Sequence, residues 1–203
     1  FDLLGRAVEL AEGHHIHEID ARNNLGIVCR HLGRLDEATG HHHSTLEAAQ
    51  RSGYLRGELE ALLGLAAVHL QHNEATEAFA HAIAALDRSR DSGHRLHQAQ
   101  ALTTLAATHL LSRNYESAIE QAAEAYSIQH QTGHQLGRAH TLLILGQARH
   151  RAGDTTTALG HWRDAEYLFA TVGAADISHA RALLTRHRSG TAPDGRPVGR
   201  PVQ

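Results

Sequence analysis

A chain of 203 residues with a formal net charge of −3 lacks the basic excess that draws a protein onto DNA or anionic lipid. Its hydrophobic content of 41% includes only three Phe, four Tyr and one Trp, so Ala and Leu supply most of the apolar surface, which suits close-packed helices better than a β-sandwich. The single Cys29 excludes an internal disulfide framework and fits a reducing compartment, and no apolar run approaches the ~20 residues of a membrane span.

The first predicted element, Leu3 to Glu12, reads as the second helix of a truncated unit, so that 1–17 form a partial preceding repeat. Beyond it the chain repeats every 40 residues. Gly13, Gly53, Gly93, Gly133 and Gly173 keep this interval, and Leu25, Leu65, Leu105 and Leu145 keep it in the same register. Two further columns do so too: Ala38, Ala78, Ala118 and Ala158, and the small residues Gly26, Ala66, Ala106 and Gly146. Independent columns in one register establish an internal repeat.

Each unit reads as a helix pair. First helices are predicted near 18–32, 56–72, 96–112 and 136–151, and second helices near 35–51, 75–91, 115–131 and 155–171. In the third unit Leu102, Leu105, Ala106 and His109 fall at i, i+3, i+4 and i+7, one face of a helix. A break at Ser112-Arg113-Asn114 follows, and then Ala118, Ala122 and Ala125 form the stripe of the second helix. Leu32-Gly33-Arg34 and Ala152-Gly153-Asp154 repeat that break, while the Gly at the end of each unit suits a left-handed cap. The units therefore run over 18–57, 58–97, 98–137 and 138–174. Within 175–187, Asp176 to His187 is predicted as a closing helix whose Ala180, Leu183 and Leu184 cover the last repeat. The segment 188–203 holds all three Pro residues and reads as a flexible Pro/Gly/Arg tail. Met is absent even at position 1, which points to a piece of a longer protein.

Leu62, Leu65, Ala66, Ala78, Ala82 and Ala85 resemble the large and small positions of the tetratricopeptide repeat, and Leu142, Leu145, Gly146, Ala158, Trp162 and Ala165 do so again. The resemblance covers roughly residues 1–187. It implies an all-α, TPR-type helical-hairpin solenoid wound as a right-handed superhelix. The aromatic positions are mostly weakened to Leu, His or Ala, and the 40-residue unit is longer than the common one of about 34. Asn23-Asn24-Leu25-Gly26, followed by Leu32-Gly33-Arg34-Leu35-Asp36-Glu37-Ala38, is similar to the long repeats of Leu-Gly-Asn scaffolds and kinesin light chains. It is most similar to the C-terminal repeats of regulators in the Streptomyces antibiotic regulatory protein (SARP) family. All 19 basic residues are Arg, a bias that fits a GC-rich, actinobacterial coding sequence. The SARP resemblance implies the sensory or autoinhibitory end of a larger cytoplasmic transcriptional regulator of antibiotic biosynthesis. A winged-helix DNA-binding domain and a nucleotide-binding switch domain would then lie elsewhere, and this fragment would not touch nucleic acid itself.

Twenty His residues invite a metal or catalytic reading. Against it, consecutive side chains such as His41-His42-His43 point roughly 100° apart on a helix and do not converge on one ion. His69 and His109 also recur in phase, as do His41, His81 and His161, which is the mark of template copying. Cys29 reads as a small buried thiol. Asp36, Glu37, Glu77 and Glu116 sit in first turns, where they favour the positive end of the helix dipole. No nucleophile–base pair and no phosphate-binding loop stands out. The sequence therefore predicts no metal site, no cofactor and no enzyme activity.

The first helices carry a second stripe, off the packing face. It comprises Leu63, Ala67 and Leu70 in the second unit, Thr103, Ala107 and Leu110 in the third, and Leu143, Gln147 and His150 in the fourth. The first unit is more polar there, with Asn23, Ile27 and Arg30. By the tetratricopeptide resemblance this stripe lines a concave groove, the alternative being that the longer helices bury it against neighbouring repeats. The expected role is a protein–protein interaction module for a protein or peptide segment, including other domains of the same regulator. The competing expectation is a receptor for a small molecule or signal peptide. An elongated open strip favours the first, and a closed pocket of about 300–1,000 Å³ favours the second.

Overall fold

The computed structural model describes residues 15–188, and the expected helix at Leu3 to Glu12 and the tail beyond Arg188 lie outside them. Among the described residues all regular structure is helical: α1 (His15–His31), α2 (Leu35–Ser52), α3 (Leu55–Gln71), α4 (Ala75–Asp91), α5 (Arg95–Leu111), α6 (Tyr115–Gln131), α7 (Gln135–Arg151), α8 (Thr155–Val172) and α9 (Ile177–Arg188). Helix α1 starts before the expected residue 18, since nothing in His15-Ile16-His17 breaks a helix.

The turns explain the regularity. Each ends its helix with one left-handed residue and an amide that reaches back five residues, as Tyr54 N–H does to the Ala49 carbonyl (2.9 Å) and Asn114 N–H to that of His109 (2.8 Å). Between units the left-handed residue is always Gly, at 53, 93, 133 and 173. Within units it is Gly33 and Gly153, but also Asn73 (φ 63°) and Arg113 (φ 61°). Such short connections leave successive helices antiparallel neighbours.

Each second helix packs on the first helix of its own unit and on that of the next, and the first helices α1, α3, α5 and α7 also pack on one another in a row. Closer contact within that row makes it the inner, concave side of the array. Helix α9 packs on α8 but does not continue the row with the same closeness, so the inner side parts between α7 and α9.

Alanine sets the spacing. Ala38, Ala78, Ala118 and Ala158 are all fully buried between paired helices, as are Leu65, Ala66 and Ala106. The column at 42, 82, 122 and 162 then varies in a compensated way. In the central units it holds Ala82 and Ala122, facing Ala66 and Ala106. In the end units it holds the buried rings of His42 and Trp162, and there the opposing residues are Gly26 and Gly146. A Cβ on Gly26 would stand 2.7 Å from the His42 ring, and one on Gly146 would stand 2.4 Å from the Trp162 ring. Gly64 of the following unit closes on the other side of His42, at 2.4 Å. A large side chain is thus accommodated where its neighbours have none.

Candidate functional site

The second stripe of the inner helices divides in two. Its positions 23, 63, 103 and 143 turn toward packed neighbours. Asn23, expected as a polar contact at the end of the groove, is 3% exposed. Its amide nitrogen donates to Glu60 (3.2 Å) and its oxygen accepts from His42 Nδ1 (3.0 Å). Leu143 is buried with Trp162 and Phe169, and Leu63 packs on the central core around Leu62 and Leu102. Thr103 is held in a triad: its hydroxyl pairs with that of Thr141 (2.8 Å) and accepts from Gln129 Nε2 (3.2 Å), while Thr141 donates to Gln129 Oε1 (2.9 Å). Asn23, Leu63 and Thr103 join unit to unit, and Leu143 shares its buried cluster with Ala180 and Leu184 of the closing helix.

The other positions, one or two turns further along each helix, remain half-buried. Leu70, Ala107, Leu110, Gln147 and His150 come together on one side of a cleft of about 750 Å³ on the inner face. Ile27, Arg30 and Ala67 share the stripe but stand outside this cleft. Burial lowers the affinity of the Arg30 guanidinium for its proton.

The cleft exists because the inner row parts before α9. Leu183 and Ile144 extend its apolar wall, and His179, Arg186 and His187 face it from the closing helix. His150 and His187 lie 4.1 Å apart between ring centroids, with Trp162 at 5.8 and 5.2 Å from them respectively. The His150 Nδ1 pairs with the Thr155 hydroxyl (3.1 Å). Burial, then the nearby His150, Arg186 and Arg151, push the His187 pKa below its ordinary value, so this ring is neutral at neutral pH. Arg113 and Arg151 reach the rim from a turn and a helix end, and no Asp or Glu among the described residues lines the cleft.

Sequence reasoning stopped the groove at α7 and missed α9's contribution. The signal was present: adding 40 to Gln147 gives His187, and adding 40 to Leu143 gives Leu183. Arg113 is set by turn geometry and carries no periodic signal, whereas Arg151 closes α7 in register with Leu111, 40 residues earlier, which lines the same cleft.

Elsewhere the His residues pair with one another. His69 stacks on His81 at 5.4 Å and its Nδ1 contacts Glu74 at 2.6 Å. Among the described residues no three His, Cys, Asp or Glu side chains are grouped so as to hold a metal ion. Cys29 is fully buried, and burial raises its thiol pKa, the opposite of nucleophile activation. No helix among the described residues is long and apolar enough to cross a membrane.

Residues 17–91 match the tetratricopeptide repeat family. The chain folds as a tetratricopeptide-type solenoid. It is similar in structure to the apo form of RapI, with a TM-score of 0.64 at 14% identity over 91% of this chain. It is also similar to BtubC from P. vanneervenii, with a TM-score of 0.61 at 17% identity over the whole of this chain and 76% of that one. The chain spans about half of RapI, 54%. At such identities the likeness is one of fold. No curated protein sequence matches the chain.

Proposed function

We propose that this chain is a protein-interaction module whose inner-face cleft takes up a segment of a partner protein. The observation that carries the reading is the cleft itself. It gathers Leu70, Leu110, Ile144 and Leu183 from α3, α5, α7 and α9 on a half-open surface with polar residues at its rim. Apolar anchors from several successive inner helices suit an extended or helical segment laid across them. In the finer form of the reading, the module is the regulatory C-terminal part of a cytoplasmic transcriptional regulator like those of the SARP family. The partner is then either another protein or another domain of the same regulator, and the repeats transmit its binding. What supports this finer form is the sequence resemblance of the long repeats.

A second reading, a receptor for a small ligand, is favoured by one measurement: about 750 Å³ lies within the range of about 300–1,000 Å³ typical of small-molecule sites.

Leu110→Arg separates cleft docking from binding elsewhere. Peptides selected from a random displayed library should bind the native chain and lose about tenfold or more in affinity to Leu110→Arg, as for a buried anchor. Tyr167→Arg, on the outer helix α8 at a side chain left largely in solvent, should leave binding unchanged. The reverse pattern would move the partner to the outer face. Failure to enrich any peptide, together with saturable uptake of a small molecule, would favour the receptor.

A further inference from the structure

We infer that the segment docked in the cleft is acidic and amphipathic, its carboxylates meeting a rim of Arg113, Arg151 and Arg186 while its apolar side chains meet Leu110, Ile144 and Leu183. This rests on the docking reading above and adds the chemistry of the partner. Three observations carry it. First, the rim is of one sign in a chain whose net charge is −3, since among the described residues the cleft is lined by three Arg and no acid. Second, these guanidinium groups are exposed and make no hydrogen bond or ion pair with the described residues, whereas Arg34, Arg56, Arg88, Arg90 and Arg181 are each matched by a Glu. Third, Arg113 occupies a left-handed turn position (φ 61°) that Gly33, Asn73 and Gly153 fill in the other units. A residue with a Cβ is disfavoured there relative to Gly. Strain retained at the edge of a cleft is a mark of use.

The chain's own 189–203 segment is a poor occupant, for it carries Arg196 and Arg200 against Asp194. A nucleic acid would meet the same three Arg, but also an apolar wall that a phosphate backbone does not satisfy.

The test uses the full chain as bait for a displayed library of random peptides about twelve residues long. Enriched sequences should combine Asp or Glu with Leu, Ile or Phe. The best of them, labelled and followed by fluorescence anisotropy, should bind more weakly as salt rises. It should lose about tenfold or more in affinity to Arg113→Gln/Arg151→Gln/Arg186→Gln. Circular dichroism checks that the triple variant keeps its helices, and if it does not, Arg113→Gln alone and the salt dependence decide. Neutral or basic enriched sequences, indifferent to the Arg substitutions but lost in Leu110→Arg, would overturn the charge assignment and leave docking intact. No enrichment at all would overturn both. A short single-stranded RNA that displaces the peptide at equal affinity would also overturn the assignment, by making the rim a phosphate site.

Discussion

The first and last described units solve one packing problem with different chemistry. Both place a ring in the column that holds Ala82 and Ala122 in the middle of the array, and both make room for it with Gly. At the last unit the ring is Trp162, an apolar body whose Nε1 reaches the Leu143 carbonyl (3.3 Å) and whose edge helps wall the cleft. At the first unit it is His42, held between Gly26 and Gly64 with Nδ1 donating to Asn23. Asn23 Nδ2 donates to Glu60, so its oxygen faces the ring and fixes the tautomer. His42 Nε2 is then a buried lone pair with no partner. The difference teaches that the repeat specifies volume, while the polarity of the filling residue specifies how that end of the array responds to its surroundings.

Breaking the comparison at the Trp end should have the largest effect. Trp162→Ala removes the largest fully buried side chain and should cost about 3–5 kcal/mol in chemical denaturation. Adding Gly146→Ala, which rebuilds the central pattern, should recover part of that loss, since the new methyl fills space the ring has left. A double variant less stable than Trp162→Ala alone would show that the two positions are not matched by volume.

At the His end, Gly64→Ala places a methyl 2.4 Å from a ring already backed by Gly26, and should cost about 1–3 kcal/mol as overpacking. The contrast is Gly40→Ala, a helical position with nothing within 4 Å, which should gain up to about 1 kcal/mol. Equal effects at the two positions would mean that the His42 ring is free to move.

Acid sharpens the comparison further. Burial, with a smaller contribution from Arg30, lowers the His42 pKa from 6.5 to about 4. Between those values the unfolded chain takes up a proton that the folded chain refuses, so stability is full above about 6.5 and falls as pH drops toward 4. For His42 the loss from pH 7 to pH 5 should be about 2 kcal/mol. His42→Gln keeps a donor for Asn23 but does not titrate, so its urea midpoint should depend less on pH over that range. His81, His97 and His161, which burial shifts in the same direction, keep some slope in the variant. An unchanged slope would mean that His42 is reached by water.

Most of the fold was legible because the period of 40 fixes every helix and turn at once, and the caps at Gly53 and Gly173 repeat one geometry. The site was legible only in part. Periodicity separates the inner stripe from the packing face, but it does not tell position 63 from position 70 on the same helix. That distinction depends on how closely neighbouring inner helices approach. Leu63 and Thr103 are taken up by that approach, while Leu70 and Leu110 stay on the cleft. His42 as a core residue was equally hidden, since its place depends on the absence of side chains at Gly26 and Gly64, on two other helices.

Trp162 offers the most direct test of the central claim, that the inner cleft beside α9 is where a partner docks. It is the single Trp of the chain and lies in the cleft wall against His150 and His187. Titration with a selected peptide that lacks Trp should change the emission of Trp162 along the same binding curve as the anisotropy. Leu110→Arg should abolish both signals. Binding that saturates by anisotropy with no change in Trp162 emission, and that survives Leu110→Arg, would contradict the account.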